Sequence, residues 1–205
     1  MQKTKRYEIL VSLPSYGPMY IPVSENNEAY YSEGYVVQFY TSKDTTWVGN
    51  FEPGWTLLNA VYEFEHDSYI LVIAGGTCYL MNPDLQKPIS IFGAGYETVI
   101  KTLDGRLILQ ESTHLTVFEI NGEHWRTERI SWDGIADLKL EGNLVSGLSF
   151  DPTNEYEEWV EFVVDLEKRN VKGGSWRQYE FKPITEKAPL IHKNQIIKRR
   201  WWKIW

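Results

Sequence analysis

Cysteine is almost missing from this 205-residue chain: Cys78 has no second cysteine to join, so no internal disulfide can brace the fold. Long apolar runs are missing too. The opening Met1-Gln2-Lys3-Thr4-Lys5-Arg6 leads into a short apolar stretch broken by Glu8 and Pro14. It offers no secretory core, and no run approaches the ~18 apolar residues of a membrane span. The expectation is a cytoplasmic chain with no membrane partner. Histidine is sparse: His66, His114, His124 and His192 are scattered without metal-ligand spacing. There is no phosphate-cradling glycine loop, no nucleophile elbow and no Cys/His pair placed for catalysis. Cys78 sits in a strand-like run, where a small buried hydrophobe is expected. No cofactor, no metal and no catalytic residue are expected.

What the chain has is aromatic residues, acidic charge and a period. Nine Trp, thirteen Tyr and eight Phe suit twisted, half-buried strands, where large rings pack across neighbours. Residues 18–174 carry 10 Lys and Arg against 25 Asp and Glu, whereas the two ends together carry 11 against 3. The middle is acidic and the ends are basic. Gly54, Gly95, Gly134 and Gly174 recur at steps of 41, 39 and 40 residues, each between strand-like runs. A fixed period near forty in such a composition signals one small antiparallel sheet per repeat.

Aligned on these glycines, the second repeat predicts strands at 57–64, 69–74, 77–81 and 89–92, and the third at 98–103, 106–110, 115–120 and 126–131. Asp104-Gly105 and Asn121-Gly122 between apolar runs predict two-residue type I′ hairpins, whose central residues need positive φ. The first repeat predicts strands at 19–23, 29–31, 35–40 and 46–51; the fourth, at 135–140, 144–150, 158–164 and 170–171. In the first three repeats the turn after the third strand precedes the repeat glycine by 13 residues. After Gly174 only three strand-like runs remain, at 178–181, 195–198 and 201–205. The run 7–13 has no repeat of its own, so it is expected to pair with the C-terminal three and remove an open edge.

Through this meander, glycine period and split last unit, the chain resembles the β-propeller superfamily. The resemblance implies an all-β, five-bladed propeller in one domain, 1–205, with blades at about 18–54, 55–95, 96–134, 135–174, and 175–205 plus 1–17. The chain departs from WD-repeat proteins, since its one Trp-Asp pair, Trp132-Asp133, lies beside a repeat glycine rather than ending a third strand.

In such a fold the connections bearing the repeat glycines open at one mouth of the channel. Trp55, Tyr96, Glu97, Trp132, Asp137, Trp176 and Arg177 are therefore the candidate ligand-binding residues, rings supplying area and charges fixing orientation. Rings in these places also fill the wedge between sheets. Glu97 and Asp137 are the nearest match to the paired carboxylates of a glycoside hydrolase. The acidic loop Asp151, Glu155, Glu157 and Glu158 is the candidate contact for a cationic protein, and it does not match a calcium-loop pattern. Lys198-Arg199-Arg200-Trp201-Trp202-Lys203-Ile204-Trp205 mixes cations and rings as a nucleic-acid or membrane segment does. Its alternation instead suits a packed closing strand, so no nucleic-acid partner is expected. The function expected is a non-catalytic protein-interaction module holding a basic protein partner, an immunity-type inhibitor of a cationic toxin being one form. The alternative is a carbohydrate or small-ligand binder at the channel mouth, and a glycoside hydrolase stands third.

Overall fold

The computed structural model describes residues 6–16, 19–25, 32–64, 69–153 and 158–176. Over these the chain is all-β, with four sheets of four strands. The first sheet holds β1 (Tyr7–Ile9), β2 (Ile21–Val23), β3 (Tyr35–Tyr40) and β4 (Thr46–Phe51), in the order β1-β3-β4-β2. The other three are simple meanders. The second is β5 (Ala60–Glu63), β6 (Ile70–Ala74), β7 (Thr77–Met81) and β8 (Pro88–Phe92). The third is β9 (Thr98–Lys101), β10 (Leu107–Gln110), β11 (Leu115–Phe118) and β12 (His124–Arg126). The fourth is β13 (Ile135–Glu141), β14 (Leu144–Asp151), β15 (Glu158–Asp165) and β16 (Asn170–Gly173).

The sheets stack face to face in chain order because successive side chains on a strand point to opposite faces. In the second sheet Ile70, Val72, Ala74, Tyr79 and Met81 pack with Val37, Phe39, Trp47 and Phe51 of the first. The intervening Leu71, Ile73, Cys78 and Leu80 pack with Leu107, Leu109 and Phe118 of the third. Ile108, Leu115 and Val117 then meet Val145, Phe162 and Val164 of the fourth. Each fully buried Leu, Ile or Phe contributes roughly 1.5–3 kcal/mol, whereas an ion pair such as Lys168–Asp165 is screened by water and adds little. Apolar faces therefore hold the stack. Cys78 is fully buried within it, and burial pushes its thiol well above the ordinary range.

Neighbouring sheets stack in phase. Tyr7 on β1 donates to the Val61 carbonyl on β5 (3.4 Å), and Arg106, just before β10, donates to Asn143, just after β13 (2.8 Å). The Trp47 indole N–H, on β4, bonds the Pro83 carbonyl in the β7–β8 turn at 2.8 Å. This layout is compatible with a propeller.

Three expectations change. The N-terminal strand belongs to the first sheet, at its edge: Tyr7–Ile9 pairs antiparallel with β3, Tyr7 opposite Phe39, and β2 adds to β4 in parallel. The Tyr7 ring packs into the first core cluster, and Tyr40 donates to Glu8 at 2.9 Å. These cross-strand partners hold the strand where no local pattern indicated it. The segments 29–31 and 177–205, including the three runs expected to complete a fifth blade, lie outside the described residues.

The Asp104-Gly105 and Asn121-Gly122 turns are also not type I′. Only the glycines have positive φ, 95° and 88°, and Thr102 N–H bonds the Arg106 carbonyl while Gly105 N–H bonds that of Thr102. That is a three-residue loop with glycine in its left-handed position. Asp44, φ 57°, takes the same place in the β3–β4 loop. The two-residue turn is Gly75-Gly76 instead, with φ 54° and 84°. Finally, β12 is residues 124–126 rather than 126–131, because the 119–123 loop closes early through Glu119 N–H to the Glu123 carbonyl at 2.8 Å.

Candidate functional site

The connections carrying Gly54, Gly95 and Gly134 gather with the β6–β7 and β10–β11 turns at one end of the stack. Gly54 N–H bonds Ala74 O, Trp55 N–H bonds Ala94 O, and Thr56 N–H bonds Gly75 O, each at 2.9 Å. Gly76 N–H returns to Leu58 O at 3.0 Å, the Thr56 hydroxyl donates to Tyr96 O, and the Asn59 side chain accepts from Gly75 N–H at 2.8 Å. This loop is fastened at five of its six positions from 54 to 59, through backbone or side chain. Two of its three large apolar side chains nonetheless face water, Trp55 91% exposed and Leu57 97%, while Leu58 packs against the core between the second and third sheets.

The other expected ring at an equivalent position behaves differently. Tyr96 is 3% exposed, its ring wedged between the second and third sheets near Phe92 (6.3 Å) and its hydroxyl donating to Thr116 at 3.0 Å. Burial pushes its phenol up to about 12, with the Thr116 hydrogen bond acting the other way. Tyr96 fills the wedge and presents no ring. Glu97 beside it is exposed, with its backbone N–H on Gln110 O at 2.8 Å.

At the fourth sheet the structure brings Trp132 and Trp176 together, edge to face with centroids 4.1 Å apart. The sequence reading missed Arg129. Its guanidinium lies 4.0 Å from the Trp176 ring centre, and its N–H groups reach Ser131 O and Trp132 O at 3.0 and 2.9 Å. The cation covers the ring a ligand would use. A spacing of three residues between Arg129 and Trp132 is the only trace of this in the sequence.

Asp137 is exposed and left-handed, φ 52°, at a bulge in β13, beside a shallow hollow of about 390 Å³ that includes Lys139, Ser146 and Glu161. Asp151 is buried, its carboxylate accepting from Thr153 N–H and hydroxyl at 2.9 and 2.7 Å, so it shapes its own turn. Glu158 is exposed. Glu155, Glu157 and Arg177 lie outside the described residues.

A second hollow of about 390 Å³ lies at the opposite end, between sheets, and includes Glu119, His124, Trp125 and Arg169. Glu119 accepts from the Trp125 indole at 2.9 Å, and Arg169 stands 5.4 Å over that ring. These groups already satisfy one another. Among the described residues no cluster of three or more His, Cys, Asp or Glu is arranged to hold a metal, and no helix is long and apolar enough to cross a membrane.

Two of the described histidines contribute to the acid response. Arg126, which can only donate, points to His114 Nδ1 at 3.1 Å, and the Thr113 hydroxyl lies 2.7 Å from the same atom. Burial first, then the Arg126 charge, lowers the His114 pKa; burial lowers that of His124, which stacks 4.0 Å from Phe92. The folded chain thus favours neutral rings, while the unfolded chain takes up protons near pH 6.5. Their contribution is complete above about pH 6.5 and is lost as pH falls through the lower folded values. Melting curves between pH 7 and 5 are expected to show Tm falling with pH, and less steeply in a His114→Gln/His124→Gln variant. Equal slopes in the two proteins would refute this assignment.

No protein-family model and no curated protein matches the chain.

Proposed function

We propose that this chain is a non-catalytic protein-interaction module that grips a basic partner through the Trp55–Leu57 loop. One observation carries the reading: a loop hydrogen-bonded on both sides holds a tryptophan 91% exposed and a leucine 97% exposed. Neither side chain adds burial to the fold. The fastened backbone has little conformational freedom left to lose on binding, and a tryptophan has only two side-chain torsions to fix, which suits an interface hot spot. The negative balance over residues 18–174 favours a cationic partner surface by steering its approach. A multi-ring sugar site is less well supported, since Tyr96 is buried and Trp176 lies under Arg129.

The test is affinity capture from the native extract with two baits, the wild-type chain and a Trp55→Ala/Leu57→Ala variant. A protein retained by the first and lost from the second is expected, with the two baits melting at the same temperature. Retention of the same protein by both would remove the loop from the interface.

A further inference from the structure

The fourth sheet ends the described stack with one face uncovered. Val145, Phe162, Val164 and Val171 turn to the third sheet. The alternate positions, Leu144, Leu148 and Phe150 on β14 and Trp159 and Val163 on β15, form the opposite face. Phe150 and Trp159 are paired in register with rings 5.2 Å apart, yet Trp159 is 45% exposed. The second and third sheets bury β6, β7, β10 and β11 on both faces. An aromatic pair with an aliphatic row is what such a middle sheet would turn to a neighbour.

We propose that this face is the docking surface for the chain's own C-terminal segment, residues 178–205. The tether is short: the chain continues from Trp176, whose N–H bonds Ile130 O beside this sheet at 3.1 Å. The reach is sufficient, since 28 residues at about 3.3 Å each can run the length of the eight-residue β14 about three times. The chemistry is complementary. Residues 178–205 carry seven Lys and Arg against two Glu, and the face interleaves Glu141, Glu161 and Asp165 with its apolar row, against Lys139 and Lys172. The segment's Trp201, Trp202, Ile204 and Trp205 supply apolar area among cations, matching apolar area among carboxylates.

The test replaces Trp159 in the full chain by the photo-cross-linker p-benzoylphenylalanine, an aromatic of similar bulk, with the same probe at exposed Leu103 as control. Irradiated dilute protein is digested and the joined peptides are sequenced. A cross-link from position 159 to a peptide within 178–205 of the same chain is expected, with none to that segment from position 103. A cross-link to a second copy or to a co-purified protein, or none to 178–205, would overturn the proposal. Should the position 159 variant not fold, the probe at Val163, on the same face, makes the same test.

Discussion

Replacing Phe118 by alanine is expected to lower stability by about 3–5 kcal/mol, a fall of roughly 6–20 °C in Tm for a chain of this length. Phe118 is fully buried where the second and third sheets meet, with Phe64 at 5.2 Å and Phe92 stacked at 5.8 Å and 5°. His124 lies beyond at 6.5 Å. Truncation leaves a void bounded by rings on two sheets, and neither sheet can close on it without losing its contacts to the sheets beyond. Serial stacking thus makes this position unforgiving. Ile120→Ala, two residues on and half exposed, is the control and is expected to stay within about 0.5 kcal/mol. Urea unfolding of both variants checks the pair. A Phe118→Ala loss no larger than that of the control would mean that this interface does not hold the fold.

The second large effect separates two glycines that look equivalent in the sequence. A Cβ at Gly54 would lie 2.5 Å from Ala94 O, 2.5 Å from the Thr77 hydroxyl and 2.6 Å from Gly75 O. Two of these atoms are backbone and cannot swing aside. Gly54→Ala is expected to destabilise by about 1–3 kcal/mol and, by forcing the 54–58 loop away from the Gly75-Gly76 turn, to weaken partner capture as well. At Gly95 a Cβ meets nothing within 4 Å. Gly95→Ala is expected to leave Tm and capture unchanged or slightly improved. Equal melting temperatures for the two variants would show that the close approach at Gly54 yields without strain.

That contrast also marks what the sequence could and could not convey. The sequence anticipated an all-β chain of small antiparallel sheets, and neighbouring sheets are joined directly, as by the Trp47 indole N–H on the Pro83 carbonyl. The residues at the period serve different ends: Gly54 allows close approach, Gly134 has φ 117°, and Gly95 requires neither. β3, β4 and β7 were legible to the residue, because alternating β-branched and aromatic residues ended at clear turns. The pairing of β1 with β3 was not legible. A three-residue strand carries too little pattern to name its partner, and the choice was made by Tyr7 and Glu8 contacts that exist only after folding.

The positions of several candidate residues along the chain were legible in outline. Trp55, Trp132 and Trp176 do sit on the glycine connections, yet whether a ring faces water or a neighbour depends on packing that spacing does not encode. Tyr96 and Trp55 each follow a repeat glycine, and one is buried while the other is exposed. Arg129 over Trp176 joins residues 47 positions apart through sheet stacking alone. Asp151, expected among the surface charges, turns back onto Thr153 because a buried carboxylate at the end of a strand needs donors of its own.

The claim that matters most is that the Trp55–Leu57 loop is the contact. Fluorine NMR of the chain labelled with 5-fluorotryptophan tests it directly, with the Trp55 resonance assigned by Trp55→Phe and that of Trp125, tied to Glu119 far from this loop, as the internal reference. Addition of the captured partner is predicted to shift or broaden the Trp55 resonance while leaving Trp125 in place. A saturated complex in which the Trp55 resonance does not move would contradict the account.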